Sequence, residues 1–110
     1  MNLNEYQFEA AKTAIHPIDG CIGILYASLA FCGEVGEVAN KCKKILRDYD
    51  GTVTSEMKSA LKLELGDSLW YIADLATLLN TSLEEIAQLN LEKLRTRKKE
   101  SKLKGEGDNR

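Results

Sequence analysis

An all-α fold, packed as a bundle-like arrangement of four helices, is what the sequence predicts, and three observations predict it. The 110 residues include a single proline, and no stretch of five or more residues alternates apolar and polar side chains as a strand does. Apolar residues recur instead at spacings of three and four over segments long enough for helices. Turn and capping signals fall between those segments.

The first helix is expected over residues 4–15, where Tyr6, Ala10, Thr13 and Ala14 share one side. His16-Pro17-Ile18-Asp19-Gly20 stops it, because Pro17 disfavours helical geometry at His16 and Gly20 frees the turn. A second, long helix runs from about Ile22 to Asp48, with Ala27, Phe31, Val35, Val38, Cys42 and Ile45 on its apolar stripe, and Asp48-Tyr49-Asp50-Gly51 ends it. Thr54 or Ser55 caps a third helix that reaches Leu79. After a break at Asn80-Thr81, Ser82-Leu83-Glu84-Glu85 reads as a capping box that opens a fourth helix through about Lys99. Residues 1–97 form one domain. Residues 98–110 form a basic and polar tail with a frayed, glycine-containing end. Long helices on short turns lie antiparallel.

Composition narrows the class. With 44% apolar and 29% charged residues, the chain is a soluble globular domain rather than a disordered one. So small a chain buries only roughly two-thirds of its unfolded surface, so a partner that completes its core is expected. No uninterrupted apolar run approaches the roughly 18–20 residues of a membrane span, and the amino terminus lacks a basic segment followed by an apolar one. No membrane association is expected. Cys21, Cys32 and Cys42 contain no Cys-x-x-Cys and have only His16 as an imidazole partner. They are read as reduced, mostly packed side chains of a cytoplasmic protein, neither disulfide framework nor zinc site. The net charge of −2 hides an asymmetry: Glu92 to Lys104 carries seven Lys or Arg against two Glu, a local +5 that leaves −7 on the rest.

The third helix carries the strongest functional signal. Between Leu61 and Leu79 its apolar residues cover nearly the whole circumference, which predicts an enclosed helix, yet Glu64, Asp67 and Asp74 lie within it. Glu64 and Asp67, at i and i+3, stand about 60° apart on one face, and Asp74 follows near the same stripe. A buried carboxylate without a partner costs several kcal/mol or takes up a proton, so this stripe needs positive charge from elsewhere. In the second helix Glu34 and Glu37 repeat the spacing, beside Gly33 and Gly36. Each of those glycines costs roughly 1 kcal/mol against alanine in a helix interior, which suggests close approach of another backbone or a ligand. If the two helices pack antiparallel, four carboxylates converge. Such hard oxygen ligands, with no histidine or thiolate, select Mg²⁺, or Mn²⁺ as a substitute, over zinc. The bland alternative is a solvated face with acids paired to Lys41, Lys44, Lys58 and Lys62, Glu37 to Lys41 being a good i, i+4 pair.

The fourth helix places Asn90, Lys93 and Arg97 on one face. Beside a metal they offer the neutralising charge and forked donor that a polyphosphate requires. The competing reading is a solvated basic end, which is favoured for Arg95, Lys98, Lys99, Lys102 and Lys104; no specific nucleic-acid contact is expected. Trp70 and Tyr71 are read first as core or interface and second as a platform for a nucleobase. No G-x-x-x-x-G-K-[ST] occurs, so any nucleotide is handled by helix faces.

Taken together, Glu34-Val35-Gly36-Glu37 and Glu64-Leu65-Gly66-Asp67 resemble the Glu-x-x-Glu…Glu-x-x-Asp signature of the MazG-like, all-α nucleoside triphosphate pyrophosphohydrolases. GEVGEVANKCKKILRD, ELGDSLWYIADLA and NLEKLRTR resemble family text, and the opening NEYQFEAAKTAI resembles short single-domain members from phages and bacteria. The resemblance spans about residues 4–97. It implies hydrolysis of a (d)NTP between the α and β phosphates to a monophosphate and pyrophosphate. It implies Mg²⁺ held by Glu34, Glu37, Glu64 and Asp67, which are also the catalytic set, with Glu37 or Glu34 orienting the water. Lys93 and Arg97 match phosphate-contacting positions, Asn90 shares their face, and Asp74 falls near the sugar or base. Gly33 stands where some members carry a further glutamate, so no side chain there can act as a base. Family members form dimers and tetramers whose neighbouring subunits help build the pocket; a homo-oligomer, in the cytoplasm or that of a host if phage-encoded, is the expectation. The alternatives are a non-catalytic helical module that binds nucleotide or protein, and a dUTPase- or dCTPase-like member with a narrow base preference.

Overall fold

Asn2 opens the chain's first helix by a reciprocal cap: its side chain accepts the Glu5 N–H at 2.8 Å, and the Glu5 carboxylate accepts the Asn2 N–H at 3.1 Å. In the computed structural model, which describes residues 1–15, 19–101, 104, 105, 107 and 108, this helix is α1, Leu3–Ala11. It stops short of the expected residue 15. The Thr13 hydroxyl donates to the Ala10 carbonyl at 2.7 Å, and the last turn tightens into i, i+3 bonds from Thr13 and Ala14. The stop expected from His16, Pro17 and Ile18 lies outside the described residues.

Helix α2, Gly20–Tyr49, is 30 residues long and ends where Asp50 (φ 51°) and Gly51 (φ 78°) enter the left-handed region and turn their N–H groups back to the Ile45 carbonyl. Helix α3, Ser55–Leu78, is capped by Thr54, whose hydroxyl accepts from the Met57 N–H at 3.2 Å. Helix α4, Leu83–Lys99, starts at Ser82, which accepts from the Glu85 N–H at 3.1 Å. The expected capping box is only half formed there, because the Glu85 carboxylate bonds the Thr81 hydroxyl. Among the described residues all regular structure is helical.

The pairing of α2 and α3 is antiparallel. Ile45 and Tyr49 meet Met57 and Leu61 at one end, Lys41 reaches Glu64 midway, and Tyr26 acts on Tyr71 towards the other. Helix α1 crosses α3, with Ala10 against Ala73 and Ala76, Leu83 of α4 completing the cluster and Tyr6, Trp70 and Ile72 packed around it. Gln7 stitches the corner. Its amide donates to the Thr77 hydroxyl at 3.1 Å and the Thr81 carbonyl at 3.0 Å, and its oxygen accepts the Leu83 N–H at 2.8 Å. One of the orphan donors at the start of α4 is thereby satisfied.

The four helices do not close into a bundle within one chain: α4 packs on α1 and α3, and α2 packs on α3 alone. Among the described residues no large side chain is fully buried, while Leu29 is 76% and Leu63 74% exposed. The expectation that α3 is enclosed therefore fails for the single chain, since α1 and α2 cover only part of its circumference and Leu63 and Leu65 face outward. Cys21, Cys32 and Cys42 are likewise exposed along α2, not packed, because that helix has a neighbour on one side only. Helix α2 is long and apolar enough to cross a membrane by length and composition, although no uninterrupted apolar run within it reaches that length. A core helix of a soluble protein meets the same measure, and α2 lies against α3.

Candidate metal centre

Where α2 crosses the middle of α3, Glu34, Glu64 and Asp67 each bring a carboxylate oxygen within 4.8 Å of the others. Helical spacing puts Glu64 and Asp67 on one face of α3, and the antiparallel pairing delivers Glu34 to that face. Glu34 and Glu64 are half-buried and Asp67 is exposed, so the group sits at the mouth of the helix pair. The Lys41 ammonium lies 3.4 Å from Glu64. It is two turns beyond Glu34 on α2, and this cross-helix pair replaces the i, i+4 pair with Glu37 that spacing alone suggested. A Cβ added at Gly33, Gly36 or Gly66 would meet nothing within 4 Å, so these glycines serve no close backbone approach within the chain and leave open space beside the acids.

The field around the group is negative. The Tyr71 phenol is pushed up, first by burial and then by Tyr26, Glu34, Asp74 and Asp67. Tyr6 is pushed up by burial and then by Asp67. Three carboxylates sharing so small a volume repel one another, and one ammonium on Glu64 offsets only part of that charge. The donor set fits a hard divalent cation: all-oxygen, anionic, and open on one side for water or phosphate oxygens. Oxygens shared by one Mg²⁺ lie at most about 4.2 Å apart, so small side-chain rotations close the set on a single ion.

Glu34 and Asp67 also line, with Trp70 and Tyr71, an open cleft of about 300 Å³. The two aromatic rings stand edge to face, centroids 4.9 Å apart, and the Trp70 indole N–H donates to the Thr13 hydroxyl at 2.7 Å. Both residues are half-buried and line the cleft, and Trp70 also packs against the core cluster.

The remaining candidates are placed elsewhere. Glu37 is exposed on the next turn of α2, outside the group of three. Asp74 is half-buried and lines a crevice with Gln7, Trp70 and Thr77 at the α1–α3 junction. Asn90 and Lys93 line a surface groove of about 310 Å³ with Ile86 and Leu89. Arg97 is buried, with its guanidinium and the Lys93 ammonium on Asp108, 3.1 and 3.0 Å from the same carboxylate oxygen. Since α4 makes no packing contact with α2, one chain does not lay this basic pair against Glu34. Sequence reasoning missed Lys41 as the partner of Glu64, although its place seven residues after Glu34 on the same stripe was a usable signal. It also missed Asp108, for which only the neighbouring glycines hint at a chain reversal.

The two longest helices of this all-α chain thus bring Glu34, Glu64 and Asp67 together beside one open cleft. The chain is a member of the MazG family: the MazG nucleotide pyrophosphohydrolase domain matches residues 26–101, which takes in both acid pairs and α4. It is similar to the "Gene 37 protein" of Mycobacterium phage L5, 46% identical over 114 residues with 100% of each chain covered. No solved structure matches the chain.

Proposed function

We propose that this protein is a Mg²⁺-dependent nucleoside triphosphate pyrophosphohydrolase that converts a (d)NTP to its monophosphate and pyrophosphate. The observation that carries the reading is the convergence of Glu34, Glu64 and Asp67 from two helices beside an open cleft that Glu34 and Asp67 line, in a chain with the MazG domain.

In this reading Glu34, Glu64 and Asp67 hold the metal, joined by Glu37 from the adjacent turn as its exposed side chain rotates. When bound, Mg²⁺ lowers the pKa of water and polarises phosphoryl oxygens. Glu37 or Glu34 orients a water towards the α-phosphorus and takes its proton. The new bond is from water oxygen to α-phosphorus; the bond to the bridging oxygen breaks, and its electron pair leaves with pyrophosphate. Lys93 and Arg97 neutralise that leaving group, with Asn90 on the same face. Trp70 and Tyr71 flank the base, which supports a preference among bases, and Asp74 lies towards the sugar side.

The assembly belongs to the same proposal. The basic pair on α4 does not pack against α2, and Leu25, Leu29, Leu63 and Leu65 are exposed on the helices that carry the acids. A homo-oligomer, dimer or tetramer, covers those faces and brings α4 of one subunit over the acids of another. The protein acts in the cytoplasm, and in that of a host if phage-encoded, a case that the phage relative supports.

Product analysis tests the activity. The protein is incubated with each of the eight common NTPs and dNTPs and Mg²⁺, beside Glu37→Ala and Asp67→Ala variants. Monophosphate and pyrophosphate, lost in both variants and without metal, are expected. Orthophosphate as the sole product would overturn the assigned cleavage site. Metal-dependent stabilisation without turnover of any nucleotide would favour the non-catalytic binding module.

A further inference from the structure

The basic pair on α4 is already engaged by an anion, and the anion is the chain's own. Arg97, with a side chain only 7% exposed, turns Nη2 to the Asp108 carboxylate at 3.1 Å, the Asp108 carbonyl at 3.1 Å and the Gly107 carbonyl at 3.4 Å. Lys93, one turn earlier, donates to the same carboxylate oxygen at 3.0 Å. Gly105 (φ 134°) and Gly107 (φ 74°) take backbone conformations that other residues rarely adopt, which lets the chain reverse after α4 and return to it.

We propose that the segment ending in Asp108 is a tethered competitor, whose carboxylate occupies the Lys93–Arg97 pair until a phosphate-type anion displaces it. The proposal rests on the phosphate role given to Lys93 and Arg97 above. Three features make the contact suited to displacement. The Asp108 side chain is 80% exposed, so its ion pairs are screened by water and weak. A pyrophosphate or triphosphate brings more charge and more acceptor oxygens to the same donors than one carboxylate can. Asp108 is only 11 residues from Arg97 along the chain, and so short a covalent connection gives an effective concentration on the order of millimolar, enough to compete but not to block. Displacement also uncovers the guanidinium, so the segment acts as a threshold: nucleotide must outcompete it before α4 can take the phosphates.

The test uses the full chain, with inorganic pyrophosphate as the probe at low salt. Asp108→Asn keeps the shape and removes the charge; Asp108→Glu keeps the charge. Calorimetry is expected to show pyrophosphate bound several-fold more tightly by Asp108→Asn than by the native chain, with Asp108→Glu close to native. The NMR signal of the Arg97 Nε–H in the anion-free protein is expected to move in Asp108→Asn. An unmoved signal would mean that the segment is not docked, and a moved signal with unchanged affinity would mean that it is docked but does not compete; either overturns the proposal. Arg97→Gln, which removes the charge, separates this from the reading beneath it. If that variant binds pyrophosphate as the native chain does, the phosphate role of α4 is lost and the competitor falls with it. If it binds more weakly while Asp108→Asn is unchanged, only the competitor falls.

Discussion

The ammonium of Lys41 stands 3.4 Å from the Glu64 carboxylate and joins α2 to α3 at the point where Glu34 and Asp67 also meet. It is a cation on one of the three acids that a metal would use, so the lysine stabilises the metal-free protein and competes with the metal. Lys41→Gln is therefore expected to lower the metal-free Tm and enlarge the gain on adding Mg²⁺. A partly exposed pair is worth about 0.2–1 kcal/mol, which corresponds to a fall of very roughly 1–8 °C in a domain of this size. Thermal denaturation with and without Mg²⁺ measures both.

Replacing the acids by their amides should separate stability from function. Glu34→Gln and Asp67→Asn relieve mutual repulsion, so the metal-free Tm is expected to hold or rise while the Mg²⁺-dependent gain disappears; Glu64→Gln loses that gain too, but also gives up its pair with Lys41, so its metal-free Tm is expected to fall as in Lys41→Gln. Pyrophosphate release is expected to fall by more than the roughly 10- to 100-fold typical of losing an outer-shell partner. Glu37→Gln, which alters a residue outside the group of three, is expected to keep part of the Tm gain and still lose turnover. A Glu37→Gln protein with native turnover would remove Glu37 from the catalytic set.

Tyr71 reports on the charge of the site. Burial and the neighbouring Tyr26, Glu34, Asp74 and Asp67 hold its phenol above the ordinary value of 10.0, so the folded state favours the protonated ring. The sign follows from linkage: the contribution is fully present below the unfolded pKa and is lost as pH rises through the folded one. Ultraviolet titration should show Tyr6 and Tyr71 ionising late, and one of the two late steps should disappear in Tyr71→Phe. Mg²⁺ should bring that ionisation to lower pH by offsetting Glu34 and Asp67. No movement with Mg²⁺ would mean that the cation does not bind beside those acids.

Trp70 is the single tryptophan of the chain and lines the cleft beside Glu34 and Asp67. Its fluorescence is expected to change on addition of nucleotide in the presence of Mg²⁺, and not on addition of inorganic pyrophosphate alone. Thr13→Val, which removes the hydroxyl acceptor of the indole N–H, is expected to cost about 1 kcal/mol of stability and to leave the nucleotide-dependent change in place. An unchanged emission across all eight nucleotides would return Trp70 to a purely packing role.

Association can be read directly from mass. Sedimentation equilibrium is expected to give a multiple of 12.2 kDa for the native chain. Leu63→Lys, on an exposed position of α3, is expected to shift the distribution towards the monomer and to reduce turnover with it. A native monomer with full activity would mean that one chain completes the site.

Helix boundaries and the faces on which the acids lie are legible from local sequence. Capping residues and glycine breaks are local chemistry, which is why Thr54, Ser82 and the Asp50-Gly51 turn mark boundaries that the structure keeps. The i, i+3 spacing of Glu64 and Asp67 needs only the helical repeat to put them on one face. The end of α1 was less legible, because the Thr13 hydroxyl takes up the Ala10 carbonyl and an apolar pattern does not reveal that bond.

Which charges meet depends on how the helices pack. The register of α2 against α3 joins Glu34 to Glu64 and Asp67, leaves Glu37 on an open turn and gives Lys41 to Glu64. The return of the chain past α4 sets Asp108 on Lys93 and Arg97. Burial depends on packing too: twelve apolar positions between Leu61 and Leu79 read as an enclosed helix, yet one chain supplies neighbours for part of that circumference only. Periodicity records what a face is made of, whereas contact and burial depend on how many other surfaces reach it.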